Sequence, residues 1–460
     1  MKGRNWSPVG ARRRGLKSFA ARLSLRVLAV ASIVVMYHVL ELHFRYREAM
    51  RLKYLPTVFG NLSEHDEALL ASKGWEPGVD ATNAERRALL DNRRHWKRLG
   101  KGREGETFTF NDTVIKVYDE KSSPFRNCMS SPGGPPRRWP TEIPASLVMG
   151  GHEGSSSSSS SPPGDDPNKE MFVPVKDYFL AAAGPLQPPK WHLVTPFLKS
   201  GTLKNLAKKL HTESRGGGGG GPSHRELDRA FRPSFESLLA ALEDLHAARN
   251  LCHDDVKLDN VFVGSEDDPG RWKLGDLGNA REPGHPYHAT ALWTADTPQL
   301  RDCRANDALR LTRVYLQFLR RAGGGDPRAF DEALFRGEEA FGRLYWAVAR
   351  APATAAQVAR LSRAYPPPRL DGEASSSSSP PPPPPWMITQ KQQQQQRPAD
   401  VVGSRGWVPA AAAAEAVFGW RWSLASAVKR ELRVGAKEGA GKFWGATWLL
   451  GIPVGECRAA

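Results

Sequence analysis

A chain of 460 residues has room for one large domain with tails, or for two domains, and can bury a sizeable core. Its net charge of +16 is unevenly placed: Lys2, Arg4, Arg12, Arg13, Arg14, Lys17, Arg22 and Arg26 all precede the first acidic residue, Glu41. No alternation of basic with aromatic residues marks a nucleic-acid groove, and the four scattered cysteines (Cys128, Cys252, Cys303, Cys457) indicate neither a zinc site nor a disulfide framework.

Residues 1–22 form the basic head. Val27 to Leu40 is an apolar run of 14 residues, and widening it to 23–44 brings in Arg26 and Glu41. At about 1.5 Å per residue the short run covers roughly 21 Å, less than the ~30 Å hydrocarbon core. The wider segment spans it once Arg26 reaches back to the headgroups. A single-pass membrane anchor is expected at 23–44, with a cleaved presequence and a buried helix as the other readings. The basic head predicts a cytoplasmic N-terminus, which leaves the rest of the chain on the lumenal side. Asn61-Leu62-Ser63 is a glycosylation sequon there, a pattern common by chance. Residues 45–95 read as a polar, partly helical connector, too sparse in apolar residues to form a core alone.

Gly100, Gly102 and Gly105 then give G-x-G-x-x-G. Glu106 to Phe110 and Thr113 to Tyr118 alternate as strands about an Asn111-Asp112 turn, a predicted hairpin. Glycines let a backbone approach phosphates closely, and Lys116 on the second strand can pair with them. Lys116 needs a carboxylate, and Glu142 is the candidate, although Pro144 should shorten or shift its helix. A Ser/Pro insert (155–163) follows. Segments 171–181 and 191–201 read as strands, and Thr202 to Leu210 as a short amphipathic helix. Gly216 to Gly221 is a flexible insert. Phe235, Leu238, Leu239, Leu242 and Leu245 make one apolar helical stripe.

That stripe leads into Leu251–Arg281, where His253, Asp255, Lys257 and Asn260 stand at H-x-D-x-K-x-x-N, and Asp276-Leu277-Gly278 follows. Transfer of a γ-phosphoryl group needs an oriented acceptor hydroxyl and metal ions that neutralise phosphate charge. Asp255 can take the hydroxyl proton, Lys257 can reach the transferring phosphate, and Asn260 and Asp276 can hold Mg²⁺ from two sides. Asn306 to Leu319 reads as a long buried helix, and 327–365 as two or three short ones. Residues 366–406 are a Ser/Pro/Gln-rich linker with a disordered composition. The Trp-rich basic tail, 407–460, either lies on a membrane surface or docks on the helical region.

Residues 96–365 resemble the eukaryotic protein kinase family, in a divergent, fungal-type form. The resemblance implies an α+β, two-lobed fold with a small β-rich lobe, a helical lobe, and ATP with Mg²⁺ between them. Carried over, Gly100, Gly102 and Gly105 cover the phosphates, and Lys116 pairs with Glu142. Val114 and Phe262 sandwich the adenine, with Thr195 at the gatekeeper position and Leu198 in the hinge. Asp255 is the base, Lys257 assists, Asn260 and Asp276 hold the metal, and Asp307 braces the loop. Lys257 favours a Ser/Thr hydroxyl on a protein as acceptor. The departures are Asp254 in place of the H-R-D arginine, a missing A-P-E, few C-terminal helices, and Leu277 for Phe. Asp254 would repel a phosphorylated activation segment. These departures keep two other readings open, an inactive kinase-like scaffold and a small-molecule kinase.

Overall fold

The computed structural model describes residues 9–59, 84–121, 123–131, 134–151, 169–182, 184, 186–216, 221–368, 420–435 and 438–457. The sequon at Asn61, the inserts at 155–163 and 217–220, the 371–406 linker and residues 407–419 of the tail lie outside the described residues. The described chain is α+β, with one small sheet, many helices, and a long apolar helix at its N-terminus.

That first helix, α1 (Val9–Lys53), is longer than the expected anchor. Its stretch from Arg22 to Lys53 is long and apolar enough to cross a membrane, and its large apolar side chains from Leu23 to Leu40, with Phe44, are exposed. The last turns differ. Ala49, Met50 and Tyr54 are buried against Tyr287, Leu292, Trp293 and the Cys252–Cys303 pair. The connector therefore belongs to a core after all at its start: its sparse apolar residues fill a pocket whose other walls come from distant segments. A second connector helix, α2 (Ala84–Asp91), sets Arg86 on Asp177 through paired contacts of 2.8 and 2.9 Å.

The sheet is antiparallel, in the order β1-β2-β3-β7-β6. Its strands are β1 (Lys97–Lys101), β2 (Gly105–Phe110), β3 (Thr113–Tyr118), β6 (Asp177–Ala181) and β7 (Lys190–Pro196). β3 is rich in β-branched residues and lies centrally between β2 and β7, as such residues favour. The β2–β3 turn falls on Asn111-Asp112 as predicted, with Asn111 at φ 51°, a backbone region asparagine tolerates. The strand expected over 171–181 begins only at Asp177, because Lys169–Met171 closes a 3₁₀ turn and Phe172 bridges to Leu274 instead. A separate hairpin pairs β4 (Asn127–Ser131) with β5 (Gly134–Trp139), and it leads into α3 (Glu142–Gly150). Pro144 does not displace α3: it sits in the first turn, where a missing N–H costs no helical hydrogen bond.

The helical region is built on α4 (Leu203–Gly216), α5 (His224–Ala247) and, after the hairpin β8 (Val261–Val263) and β9 (Trp272–Leu274), α6 (Cys303–Ala322). A Ser223–Glu226 capping box starts α5, whose stripe from Phe235 to Leu245 is fully buried. Of the two or three short helices expected over 327–365, three form: α7 (Pro327–Arg336), α8 (Ala340–Arg350) and α9 (Ala355–Ala364). The tail helix α10 (Trp420–Glu431) turns Leu424 and Val428, with Leu432 just beyond it, into the same core. Their i, i+4, i+8 spacing is one helical stripe. Of the two readings of the tail, this part docks on the protein.

The cysteines correct the sequence expectation. Cys128 is bonded to Cys457 and Cys252 to Cys303, with Cα separations of 5.6 and 6.0 Å. Partners 329 and 51 residues apart leave no spacing signature for a sequence to display. One bond ties the chain's end to the β4–β5 hairpin, the other ties Leu251–Asn260 to the start of α6.

Leu424→Ala should lower stability by about 2–4 kcal/mol, the cost of a buried leucine deletion. Leu449→Ala, at an exposed position, should stay within about 0.5 kcal/mol. Chemical unfolding of the detergent-solubilised full chain distinguishes the two.

Candidate active site

The site is assembled from four places in the chain. β3 carries Lys116, α3 opens with Glu142, the loop after Cys252 carries Asp255, Lys257 and Asn260, and the turn after β9 carries Asp276. Lys116 Nζ donates to Glu142 Oε2, to Asp276 Oδ1 at 3.0 Å and to Glu104 Oε2 at 3.2 Å. Tyr118, two residues along β3, donates its hydroxyl to the same Glu142 oxygen at 2.6 Å. Ile143 and Leu147 are buried with Tyr118, and this packing holds α3 against the sheet.

One ammonium thus faces three carboxylates. Burial alone would discharge Lys116, but Asp276 and Glu142 beside it hold its pKa well above the lysine value. Burial raises Glu142, and Asp276 and Glu104 add to it against Lys116, which together push it up to about 7. Asp276 is partly enclosed, which opposes its charge, yet Lys116 and Lys257 bring it down to about 2. The cluster has more negative charge than its cation neutralises. Glu104, Glu142 and Asp276 each offer an oxygen within 4.8 Å of the others. An all-oxygen set of this kind suits a hard cation.

Among the glycines, Gly105 is required by packing: a Cβ there would stand 2.0 Å from the Val117 carbonyl oxygen. Gly102 N–H closes the flap on Gly105 O at 2.9 Å, whereas Gly100 has open space around it. Val114 lies directly opposite Thr195 on β7, so these two predicted residues are neighbours across the sheet. Leu198 accepts from Gly201 N–H just beyond β7, and Phe262, on β8, bridges to Thr202. A Cβ on Gly275 would be 2.9 Å from the Phe262 ring, so that glycine lets the Asp276 turn lie against it.

The 251–260 loop is held from α6. Asp307 accepts from the backbone N–H of His253 at 2.6 Å and of Asp254 at 3.0 Å, the bracing role expected of it. Asp255 Oδ2 accepts from Lys257 Nζ at 2.6 Å, and Asn260 Nδ2 donates to the Asp255 carbonyl at 2.9 Å. Two residues escaped the sequence reading. Arg310 donates to the Asp254 and Val256 carbonyls and to Asp255 Oδ1 at 3.1 Å. Its signal is its place three residues after Asp307, on the same helix face. Glu104 lies inside the glycine triplet, where no spacing rule asks for an acid.

Asp254 is buried, in left-handed backbone at φ 62°. Its Oδ2 accepts from Arg281 at 3.1 Å and faces His288 Nε2 at 2.8 Å. Burial opposes the charge, but His288 and Arg281 bring the Asp254 pKa down to about 2. The acid is on the loop and the bases are on the segment beyond Gly278.

No family model and no curated protein matches this chain.

The folded pKa of Asp254 lies below the ~3.9 of an unfolded aspartate, so its stabilisation is present above ~pH 4 and lost as pH falls toward 2. Asp254→Asn leaves Arg281 buried without its counter-charge and should cost about 3–5 kcal/mol at pH 7. Thermal unfolding from pH 7 down to 2.5 should show the gap between parent and variant closing only below ~pH 4.

Proposed function

We propose that this chain is an ATP- and Mg²⁺-dependent serine/threonine protein kinase with a two-lobed kinase fold. The observation that carries the reading is the approach of Lys116 Nζ to Asp276 Oδ1, 3.0 Å across 160 residues of sequence, with Glu142 on the same ammonium. Nothing in a polar turn or a solvated strand face would draw these groups together.

In this reading the flap of Gly100, Gly102 and Gly105 covers the triphosphate and Lys116 holds its α/β oxygens. Val114 and Phe262 enclose the adenine, and the backbone near Leu198 meets its edge beside Thr195. Asn260 and Asp276 hold Mg²⁺, which supplies charge neutralisation on the phosphate oxygens. Asp255 accepts the proton of a Ser or Thr hydroxyl as that oxygen bonds to the γ-phosphorus and the bond to ADP breaks. Lys257, already on Asp255, stays beside the transferring group, and Arg310 fixes the opposite carboxylate oxygen. The Asp254 contacts to Arg281 and His288 do for the following segment what a phosphate does elsewhere, so no activating phosphorylation is needed. Glu104 on Lys116 favours a second reading, a kinase-like scaffold that binds no nucleotide.

The domain faces an oxidising lumen, on two independent grounds. Eight basic residues before α1's apolar stretch favour a cytoplasmic N-terminus. The two disulfides belong to compartments outside the reducing cytosol. The substrate class is then proteins of the secretory route.

Full-length protein in nanodiscs should transfer label from γ-labelled ATP to protein acceptors. Lys116→Met and Asp255→Asn should each lower the rate by about 10²–10⁴-fold. Parent-level transfer by Lys116→Met overturns the kinase reading, and a parent that neither transfers label nor gains thermal stability from Mg-ATP favours the scaffold.

Protein isolated without reductant should yield no alkylated cysteine before reduction and four after it, Cys128, Cys252, Cys303 and Cys457. Four alkylated cysteines before reduction would place the domain in the cytosol.

A further inference from the structure

The last described segment, 438–457, lies against the base of α1. There it forms two short helices, α11 (Gly439–Trp444) and α12 (Thr447–Leu450). The segment is fastened on one side. His43 Nδ1 meets the Trp444 carbonyl at 3.0 Å, and Arg47 Nη1 donates to the Gly451 carbonyl at 2.7 Å. Lys53 pairs with Glu438 at 2.5 Å, and Cys457 is bonded to Cys128. Gly441 packs so closely that a Cβ there would be 2.8 Å from Leu292.

The other side is bare. Phe443 is 66% exposed, Trp448 75%, Leu449 67% and Leu450 55%, and on α1 Phe44, which follows His43, is 66% exposed. Four large apolar side chains in eight residues, on a segment pinned at six or more points, form a patch that soluble proteins seldom leave open.

We infer that residues 443–450 are a foot that rests in the membrane interface beside the anchor, with phospholipid as its partner. This rests on the reading of α1 as a membrane span. Its height fits. A hydrocarbon core of ~30 Å takes about 20 residues of helix, from Leu23 to about Leu42. The headgroup layer adds ~5–7 Å on each side, about the next five residues. Those are His43 to Arg47, the ones that hold Trp444, Gly445, Leu450 and Gly451. The foot is therefore level with the boundary of headgroups and acyl chains. Tryptophan favours that depth, where its ring is apolar and its N–H stays wet. The exposed apolar side chains of α1 run down to Phe44, next in sequence to the His43 that meets Trp444. The foot adds a second contact at a fixed distance from the helix axis, so the domain above it is held at one tilt to the membrane.

The test uses full-length protein in nanodiscs that carry one copy each, with phosphatidylcholine brominated in its acyl chains. With 14 tryptophans in the chain, the signal is the emission of parent minus Trp448→Phe. That difference should fall at least about twofold relative to unbrominated discs. Photoactivatable lipid should crosslink to the 442–457 peptide, and the crosslink should disappear in F443S/W448S/L449S/L450S. If the protein resists alkaline extraction but the difference is unquenched and no lipid crosslink forms, the foot is overturned while the anchor stands. The same holds if a second copy crosslinks to the patch in place of lipid. If alkaline extraction frees the protein, the anchor reading has failed and the foot with it.

Discussion

The structure turns on one largely enclosed ammonium. Lys116 is on a central strand, and its carboxylate partners come from a helix, a flap and a turn that share no local sequence. An ammonium in such a place must be paired, because desolvation would otherwise neutralise it. That requirement fixes how far α3 and the Asp276 turn stand from β3, and the apolar cluster around Tyr118, Ile143 and Leu147 enforces the same spacing from behind. The charge is not balanced by the lysine alone. Three acids around one base leave room for a cation; burial is the main cause of the rise of Glu142 to about 7, and Asp276 and Glu104 add to it. Packing brings the acids together, and a proton or a metal must then relieve what packing has imposed.

A second constraint acts on the 251–260 loop. Its backbone N–H groups at His253 and Asp254 end on Asp307, its carbonyls at Asp254 and Val256 end on Arg310, and Cys252 is bonded to Cys303. All three anchors belong to α6. Cys252 also exchanges both backbone hydrogen bonds with Arg281, at 2.7 and 3.1 Å, which brings that arginine under Asp254. Order in this loop comes from groups the chain already carries. The acid at Asp254 follows from the same economy of means: with Arg281, Arg126 and His288 converging there, an arginine on the loop would add to a cluster of positive charge.

What the sequence made legible was local. The β2–β3 hairpin, the α5 stripe and the spacing from His253 to Asp276 are patterns within a few turns or strands, and each formed where its period or turn chemistry put it. Pro144 misled only in emphasis, since its effect depends on which turn it occupies. Illegible features were those that depend on two segments meeting. Neither the disulfides nor Glu104 on Lys116 has a period. The burial of Ala49 and Met50 needs Leu292 and Trp293 to supply the opposite wall. The tail's composition offered two readings because it does two things: Leu424, Val428 and Leu432 face the core, while Phe443 and Trp448 to Leu450 face outward.

Glu438 shows how these distant parts are joined. Its side chain is nearly buried, and it meets Lys53 at the foot of α1 and Arg103 in the glycine flap at 2.8 Å. The two cations overcome its burial and hold its pKa at about 2, so the carboxylate stays charged across the physiological range. One tail residue therefore joins the base of α1 to the hairpin whose Glu104 contacts Lys116. Arg103 is half exposed, so its bond to Glu438 is weaker than that of Lys53, which is enclosed. The stronger bond fixes the tail to α1, and the weaker one leaves the hairpin around Gly102 and Gly105 the less firmly held of the two ends that Glu438 joins.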